Sequence, residues 1–435
     1  MKRTWIAIAA ALALAGCRQA EPEPVETFHL DNGLTVILRP VAGADQVALV
    51  VLHRMGGRHD PEGQSGLAHL LEHCYITAQA GRTPRRNIEQ YVALYPAGWN
   101  AQTGDDYTVF AGVFPAERLE DELRDAASRL GDLRVDRTDI ERERPRVLEE
   151  LRNMYGGMPQ LAAVNLARER VSPTPAGGRK GGLPDAVSSL TAGDLQQRWA
   201  RFYRANNATL VLAGGFNEAT VRQRVAYYFQ TLPRGEEPPP APAPPAPKLP
   251  ASETLEVEPI QPAAPVACLA FAAPDPGSDL YAPFLVIVAR LWQSAASPSG
   301  PLKPTIYCAP LDDPEVLALS AAVEGLAPDQ AFAALRSILA SALAREFSSA
   351  DVAAARNSFG WMLGLADLPD AAIRQNLYGA ALSLGRRTQL GIEPDRLART
   401  LETVTADDVR RAAQTLFAED KCAAVYVKPS PPAAR

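Results

Sequence analysis

Histidine is scarce in this chain: five among 435 residues, and none beyond His73. A metal site that draws on residues further along must therefore take another ligand type there, and a carboxylate is the better candidate. Cysteine is just as sparse. After Cys17, only Cys74, Cys268, Cys308 and Cys422 remain; an oxidising compartment would permit three pairings among them, and the sequence compels none. Cys74 follows a candidate ligand but points off its face, as a small buried apolar residue would. Basic runs are missing and the net charge is −6, which argues against a nucleic-acid partner. The apolar stretch at residues 5–15 is too short for a permanent bilayer helix.

The chemistry is concentrated in H-L-L-E-H, His69 to His73. On a helix, residues four apart project from one face, so His69 and His73 can grip one divalent cation. Glu72 lies near that face, placed to act as a general base on water held there. H-x-x-E-H is a zinc-peptidase signature, the mirror of H-E-x-x-H. A zinc site that keeps a position open needs three protein ligands. His29 and His53 fall in strand-like runs and His59 in a turn. Downstream, residues 137–155 read as an acidic helix with an apolar stripe of Val147, Leu148 and Leu151. Glu143 and Glu150 are seven apart and share a face, whereas Glu149 points about a quarter turn away. Periodicity alone fits an ordinary charged helix equally well.

Residues 56–73, G-G-R-H-D-P-E-G-Q-S-G-L-A-H-L-L-E-H, resemble the signature of the pitrilysin–insulinase family, which includes mitochondrial processing peptidase. Residues 98–110, G-W-N-A-Q-T-G-D-D-Y-T-V-F, resemble the family's strand beside the catalytic cleft. Residues 199–215, W-A-R-F-Y-R-A-N-N-A-T-L-V-L-A-G-G, are similar to the strand that closes its first domain. The resemblance implies a zinc endopeptidase with Zn²⁺ on His69, His73 and Glu150. It implies Glu72 as general base, Glu143 as its supporting glutamate, and Asn100 and Thr103 as substrate-binding residues. Glycine and asparagine at 98–100 also read as a helix exit. Pro145 is expected to place Glu143 before or within the first helical turn. The implied fold is α+β: two homologous domains, each a largely antiparallel sheet packed with helices.

The chain is expected to divide accordingly. Residues 1–16 read as a lipoprotein-type signal peptide, with a basic start and a short apolar core. Leu14-Ala15-Gly16-Cys17 resembles a bacterial lipobox, which implies lipidation of Cys17 and membrane anchoring, on the periplasmic side of the outer membrane in a Gram-negative cell. Residues 17–24 form a tether, 25–232 the metal-bearing domain, 233–250 a stiff Pro-rich linker, and 251–430 a homologous domain without the metal site. T-A-G-D-L at Thr191 and T-A-D-D-V at Thr405 suggest a duplication. Its register places His69, Glu72 and His73 onto Pro283, Val286 and Ile287. Hairpin chemistry marks residues 28–38, through Asp31-Asn32-Gly33. Residues 46–53 are strand-like, and 115–130 and 185–203 are helical in pattern. Active single-chain relatives of the resembled family carry an arginine and a tyrosine in the second half. Here Lys303 and Tyr307 are the nearest candidates, at the wrong spacing, and lysine lacks arginine's planar fork. The resemblance therefore implies a homologous partner chain that supplies the missing pair.

Overall fold

The computed structural model describes residues 25–430, apart from 175–177, 241, 243–245, 248, 250–251, 262, 297–301 and 367. The expected signal peptide, tether and Cys17 lie outside the described residues, as does part of the Pro-rich linker.

Two sheets organise the chain. The first contains β1 (Glu26–His29), β2 (Thr35–Pro40), β3 (Gln46–His53), β5 (Trp99–Thr103), β6 (Thr108–Pro115) and β8 (Ala208–Gly214), in the order β1-β2-β8-β3-β6-β5. A separate short pair joins β4 (Gln79–Ala80) to β7 (Leu133–Arg134). The second sheet contains β9 (Glu253–Val257), β10 (Val266–Ala272), β11 (Thr305–Ala309), β12 (Asp313–Ala322) and β13 (Ala423–Pro429), in the order β11-β12-β10-β13-β9. Pairing is antiparallel throughout except β2 with β8 and β13 with β9. The fold is thus α+β with largely antiparallel sheets.

The two sheets repeat one plan. β8 lies between a parallel and an antiparallel neighbour, and β13 does the same. The helices Ala192–Phe202 and Ala406–Leu416 each begin with a threonine hydroxyl that accepts the backbone N–H of an aspartate, Asp194 and Asp408. These are the two threonines that suggested the duplication. Pro283, Val286 and Ile287 lie in the helix Tyr281–Ala296, buried in the second core. An apolar helix occupies in the second half the place that the motif helix holds in the first.

The β1–β2 hairpin forms as expected, with Gly33 at φ +91°. Residues 185–203 are helical as expected, in two pieces, Pro184–Ser189 and Ala192–Phe202. The break falls where Thr191 supplies the cap of the second, an arrangement that favours a new start over continuation. Residues 98–100 enter β5 rather than end a helix.

Two cores sit between the sheets and their helices. Two further apolar clusters cross between the halves. Helix Pro159–Val171, from the first half, packs on β10, β12 and β13 through Ala163, Leu166 and Val171. Helix Leu377–Gln389, from the second, packs on β3, β6 and β8 through Leu377 and Ala381. Each half therefore covers a face of the other's sheet. No helix of the described residues is long and apolar enough to cross a membrane.

Candidate active site

The H-L-L-E-H segment lies in the helix Leu67–Thr77. Its other residues, including Leu67, Leu70, Leu71 and Cys74, are buried, so the helix is held by apolar packing on most sides. Its N-terminus is tied to a buried carboxylate. Asp60 accepts the N–H of Gly66 at 2.8 Å and of Ala68 at 3.0 Å. An anion here meets the positive end of the helix dipole. Burial nevertheless pushes the Asp60 carboxyl up to about 6, against the lowering influence of Arg198 and these backbone donors. Sequence reading missed Asp60; its signal was an acidic residue in the loop just before the first helical turn.

Glu143 and Glu150 lie on the helix Arg137–Arg152. Asp136 caps it and accepts from Thr138 at 2.8 Å, while Asp139 returns a bond from the N–H of Asp136. Ile140, Val147 and Leu151 bury its apolar stripe. Pro145 sits inside this helix, contrary to the expectation that it would leave Glu143 at or before the first turn. Pro145 and Glu141 are both exposed. The hydrogen bond that proline removes therefore falls on the wet side, where water can satisfy the freed carbonyl. A single π-helical turn, Asn153–Gly157, follows at once.

The two helices bring the candidate ligands together. One ligand atom from each of His69, His73 and Glu150 lies within 4.8 Å of the others. Glu150 Oε2 is 3.3 Å from His69 Nε2 and 3.6 Å from His73 Nε2. Zinc bonds of about 2.0–2.1 Å at tetrahedral angles place ligand atoms about 3.3 Å apart, so the donor set fits that ion. The far ring nitrogens are also engaged. His69 Nδ1 meets the carbonyl of Gly181 at 2.9 Å, which leaves Nε2 to face Glu150. His73 Nδ1 lies 3.7 Å from Glu143 Oε2. Glu143 is buried and accepts from Arg142 Nε at 2.7 Å. Burial would lower His73, yet the Glu143 and Glu150 carboxylates raise it to about 10. Burial likewise opposes ionisation of Glu150, and the two imidazoles overcome it and hold the carboxyl well below the usual range. The cluster is thus a strong attractor of positive charge.

Glu72 faces the same open cleft, about 700 Å³, whose floor is β5. β5 is an edge strand of the first sheet. Thr103 Oγ1 donates to Glu72 Oε2 at 2.7 Å. Thr103, expected among the substrate-binding residues, thus has its hydroxyl engaged by Glu72. Asn100 is exposed in β5 and lines the cleft. Lys303 is exposed and Tyr307 donates to Asp313 at 3.3 Å; neither lines the cleft. The cleft wall contains another residue that sequence reading missed, Lys180, beside Gly181. Gly182 abuts Gly66 so closely that a Cβ there would lie 2.5 Å from the Gly66 Cα. The loop thereby rests directly on the start of the motif helix. Its only sequence signal was the tandem glycine.

Comparison with known proteins bears on the family and the fold. Residues 35–175 match the sequence profile described as "Insulinase (Peptidase family M16)", and residues 189–299 match "Peptidase M16 inactive domain". The chain belongs to the insulinase family, M16. Its M16 relatives include "Zinc protease PqqE" of Helicobacter pylori, 26% identical over 219 residues, 49% of this chain and 48% of that one. The chain spans about half the length, or less, of the curated M16 relatives it matches. Among solved M16-like structures, a protease from Helicobacter pylori superposes with a TM-score of 0.76 at 19% identity, over 94% of this chain and all of that one. The first half of the periplasmic protease PqqL from Escherichia coli gives 0.66 at 18% identity, over 93% and 92%. At these identities the superpositions show the shared fold. The four described cysteines are free, and Cys74 is buried in the core of the motif helix.

Proposed function

We propose that this chain is a zinc-dependent endopeptidase that hydrolyses peptides or unfolded segments in the bacterial cell envelope. The observation that carries the reading is the convergence of His69, His73 and Glu150 within 4.8 Å in a cleft that also contains Glu72. When bound, zinc supplies a Lewis acid for the scissile carbonyl and lowers the pKa of water. Glu72 takes the proton from the attacking water and returns it to the leaving amine. Thr103 fixes the Glu72 carboxylate in one orientation through its 2.7 Å bond. Glu143 and the Gly181 carbonyl orient His73 and His69. β5 offers an unpaired edge along the cleft, so a peptide adds there as a strand, with Asn100 beside it.

On this reading the chain is the metal-bearing subunit of a heteromer, and a homologous partner supplies the arginine and tyrosine absent from its second half. Lipid at Cys17 holds it to the membrane, on the periplasmic side of the outer membrane. Support for the compartment comes from the lipobox-like Leu14-Ala15-Gly16-Cys17 and from the fold shared with a periplasmic protease.

The test is cleavage of a mixed unstructured peptide library by the zinc-loaded chain, followed by mass spectrometry beside Glu72→Gln. Cleavage by the parent alone supports the peptidase. Zinc binding with no cleavage, even after addition of homologous chains from the same cell, leaves a binding or scaffold subunit instead.

A further inference from the structure

Lys180 is poised unlike any other cation on the cleft wall. Glutamates dominate that wall, and among the described residues its two cations are Arg146 and Lys180. Arg146 is committed within the cleft itself, 3.1 Å from Glu89 and 4.0 Å from Glu143. Lys180 reaches instead towards the second half, where its Nζ lies 3.3 Å from Asp313 Oδ2. That oxygen is oversubscribed. It also receives Arg168 Nε at 2.8 Å and the Tyr307 hydroxyl at 3.3 Å. Arg168, the shorter and more deeply buried partner, stays on Asp313 when Lys180 leaves, although it also serves Asp105. The lysine backbone, by contrast, is rooted. Its carbonyl accepts from the Tyr155 hydroxyl at 3.0 Å, and the next carbonyl holds His69. A flexible ammonium thus springs from a fixed point beside a candidate metal ligand.

We propose that Lys180 is a specificity-determining residue that leaves Asp313 to receive a carboxylate of the bound peptide. Elsewhere the charged groups of the wall are glutamates and Arg146, which is paired with Glu89, so a peptide carboxylate is favoured at the position facing Lys180. The carboxylate is that of an acidic side chain or of the peptide's C-terminus. This inference rests on the peptidase reading above and adds a substrate class to it.

The experiment measures peptide affinity in the zinc-loaded full chain carrying Glu72→Gln, where peptides bind without being cut. A neutral, amidated octapeptide is compared with a series in which Glu is moved through each position, and with its free-acid form. Binding about tenfold tighter for one Glu position supports an acidic side chain; the same gain for the free acid supports the C-terminus. Lys180→Met removes the gain and leaves the neutral peptide's Kd unchanged, and Lys180→Arg retains it. A gain that survives Lys180→Met overturns the proposal, as do affinities that show no dependence on charge. Equal weakening of charged and neutral peptides by Lys180→Met assigns the residue a structural role and overturns it too. Zinc-loaded protein that binds none of the peptides, even after addition of homologous chains from the same cell, fails the peptidase reading itself, a distinct outcome that removes this proposal with it.

Discussion

Gly181 joins backbone geometry to the candidate metal site, and replacing it with alanine tests the connection. Gly181 sits at φ +82°, and its carbonyl meets His69 Nδ1 at 2.9 Å. An alanine in the left-handed region costs about 1–2 kcal/mol. Its Cβ would also lie 3.0 Å from Leu151 Cδ2 and 3.5 Å from His69 Nδ1, so the loop must move by a few tenths of an ångström. Movement there withdraws the carbonyl that orients the imidazole. Loss of such a partner weakens metal binding by about 10–100-fold, or about 1.4–2.7 kcal/mol. Gly391→Ala is the matched control. Gly391 has φ +63° and open space around its missing Cβ, and it does not line the cleft. Both variants should lose about 1–2 kcal/mol of stability in urea titrations with a chelator present. Only Gly181→Ala should lose zinc affinity when titrated against a competing chromogenic chelator. A folded Gly181→Ala protein with parental zinc affinity would refute the orienting role. Equal zinc loss in Gly391→Ala would show that the effect is merely one of global stability.

Three further outcomes are expected. Thr103→Val keeps the shape but removes the donor to Glu72; kcat should fall about tenfold with zinc content unchanged, and an unaltered kcat would remove Thr103 from the mechanism. Arg168, buried between Asp105 and Asp313, links the two halves; Arg168→Met should lower stability by about 3 kcal/mol in urea unfolding, and a loss below about 1 kcal/mol would contradict the pairing. His53 is buried among Tyr75, Phe110 and Tyr203, and burial lowers it to about 3. The unfolded chain binds this proton near pH 6.5 and the folded one does not, so the stability tied to His53 is complete above pH 6.5 and is lost as pH falls towards 3. The loss at pH 5 amounts to about 2 kcal/mol. His53→Leu should flatten that part of the urea-midpoint profile between pH 5 and 7, and an unchanged profile would exclude His53 as its source.

How much of this was legible depended on where each contact's partners lie in the sequence. The motif helix was readable because the spacing of His69 and His73 is local, and the β1–β2 hairpin because Asn32-Gly33 states its turn. The ligand helix was readable as a helix, but periodicity left Glu143, Glu149 and Glu150 open, and the family resemblance singled out Glu150. Pro145 misled because a local rule ignores which side of the helix faces water. The bond from Thr103 to Glu72 is tertiary and could not be read, whereas Asp60 was passed over although its bonds to Gly66 and Ala68 are local. Gly181 acts through a main-chain carbonyl on a residue 112 positions away, and no side chain announces such a contact. Lys180 gains meaning only beside Asp313, which the second half contributes.

The exchange of helices between the halves bears on how the chain is made. A polypeptide that has emerged only as far as the Pro-rich stretch can pair its first sheet, yet Ile37, Val50, Leu52 and Val211 still lack the helix Leu377–Gln389 that covers them. Synthesis proceeds from the N-terminus, so this apolar surface waits, open to other chains, until nearly the whole protein has followed. The candidate metal-ligand residues are complete long before the structure that supports them is sealed. Chaperone demand should therefore peak late in biogenesis, and truncations between the two sheets should aggregate rather than yield a working half.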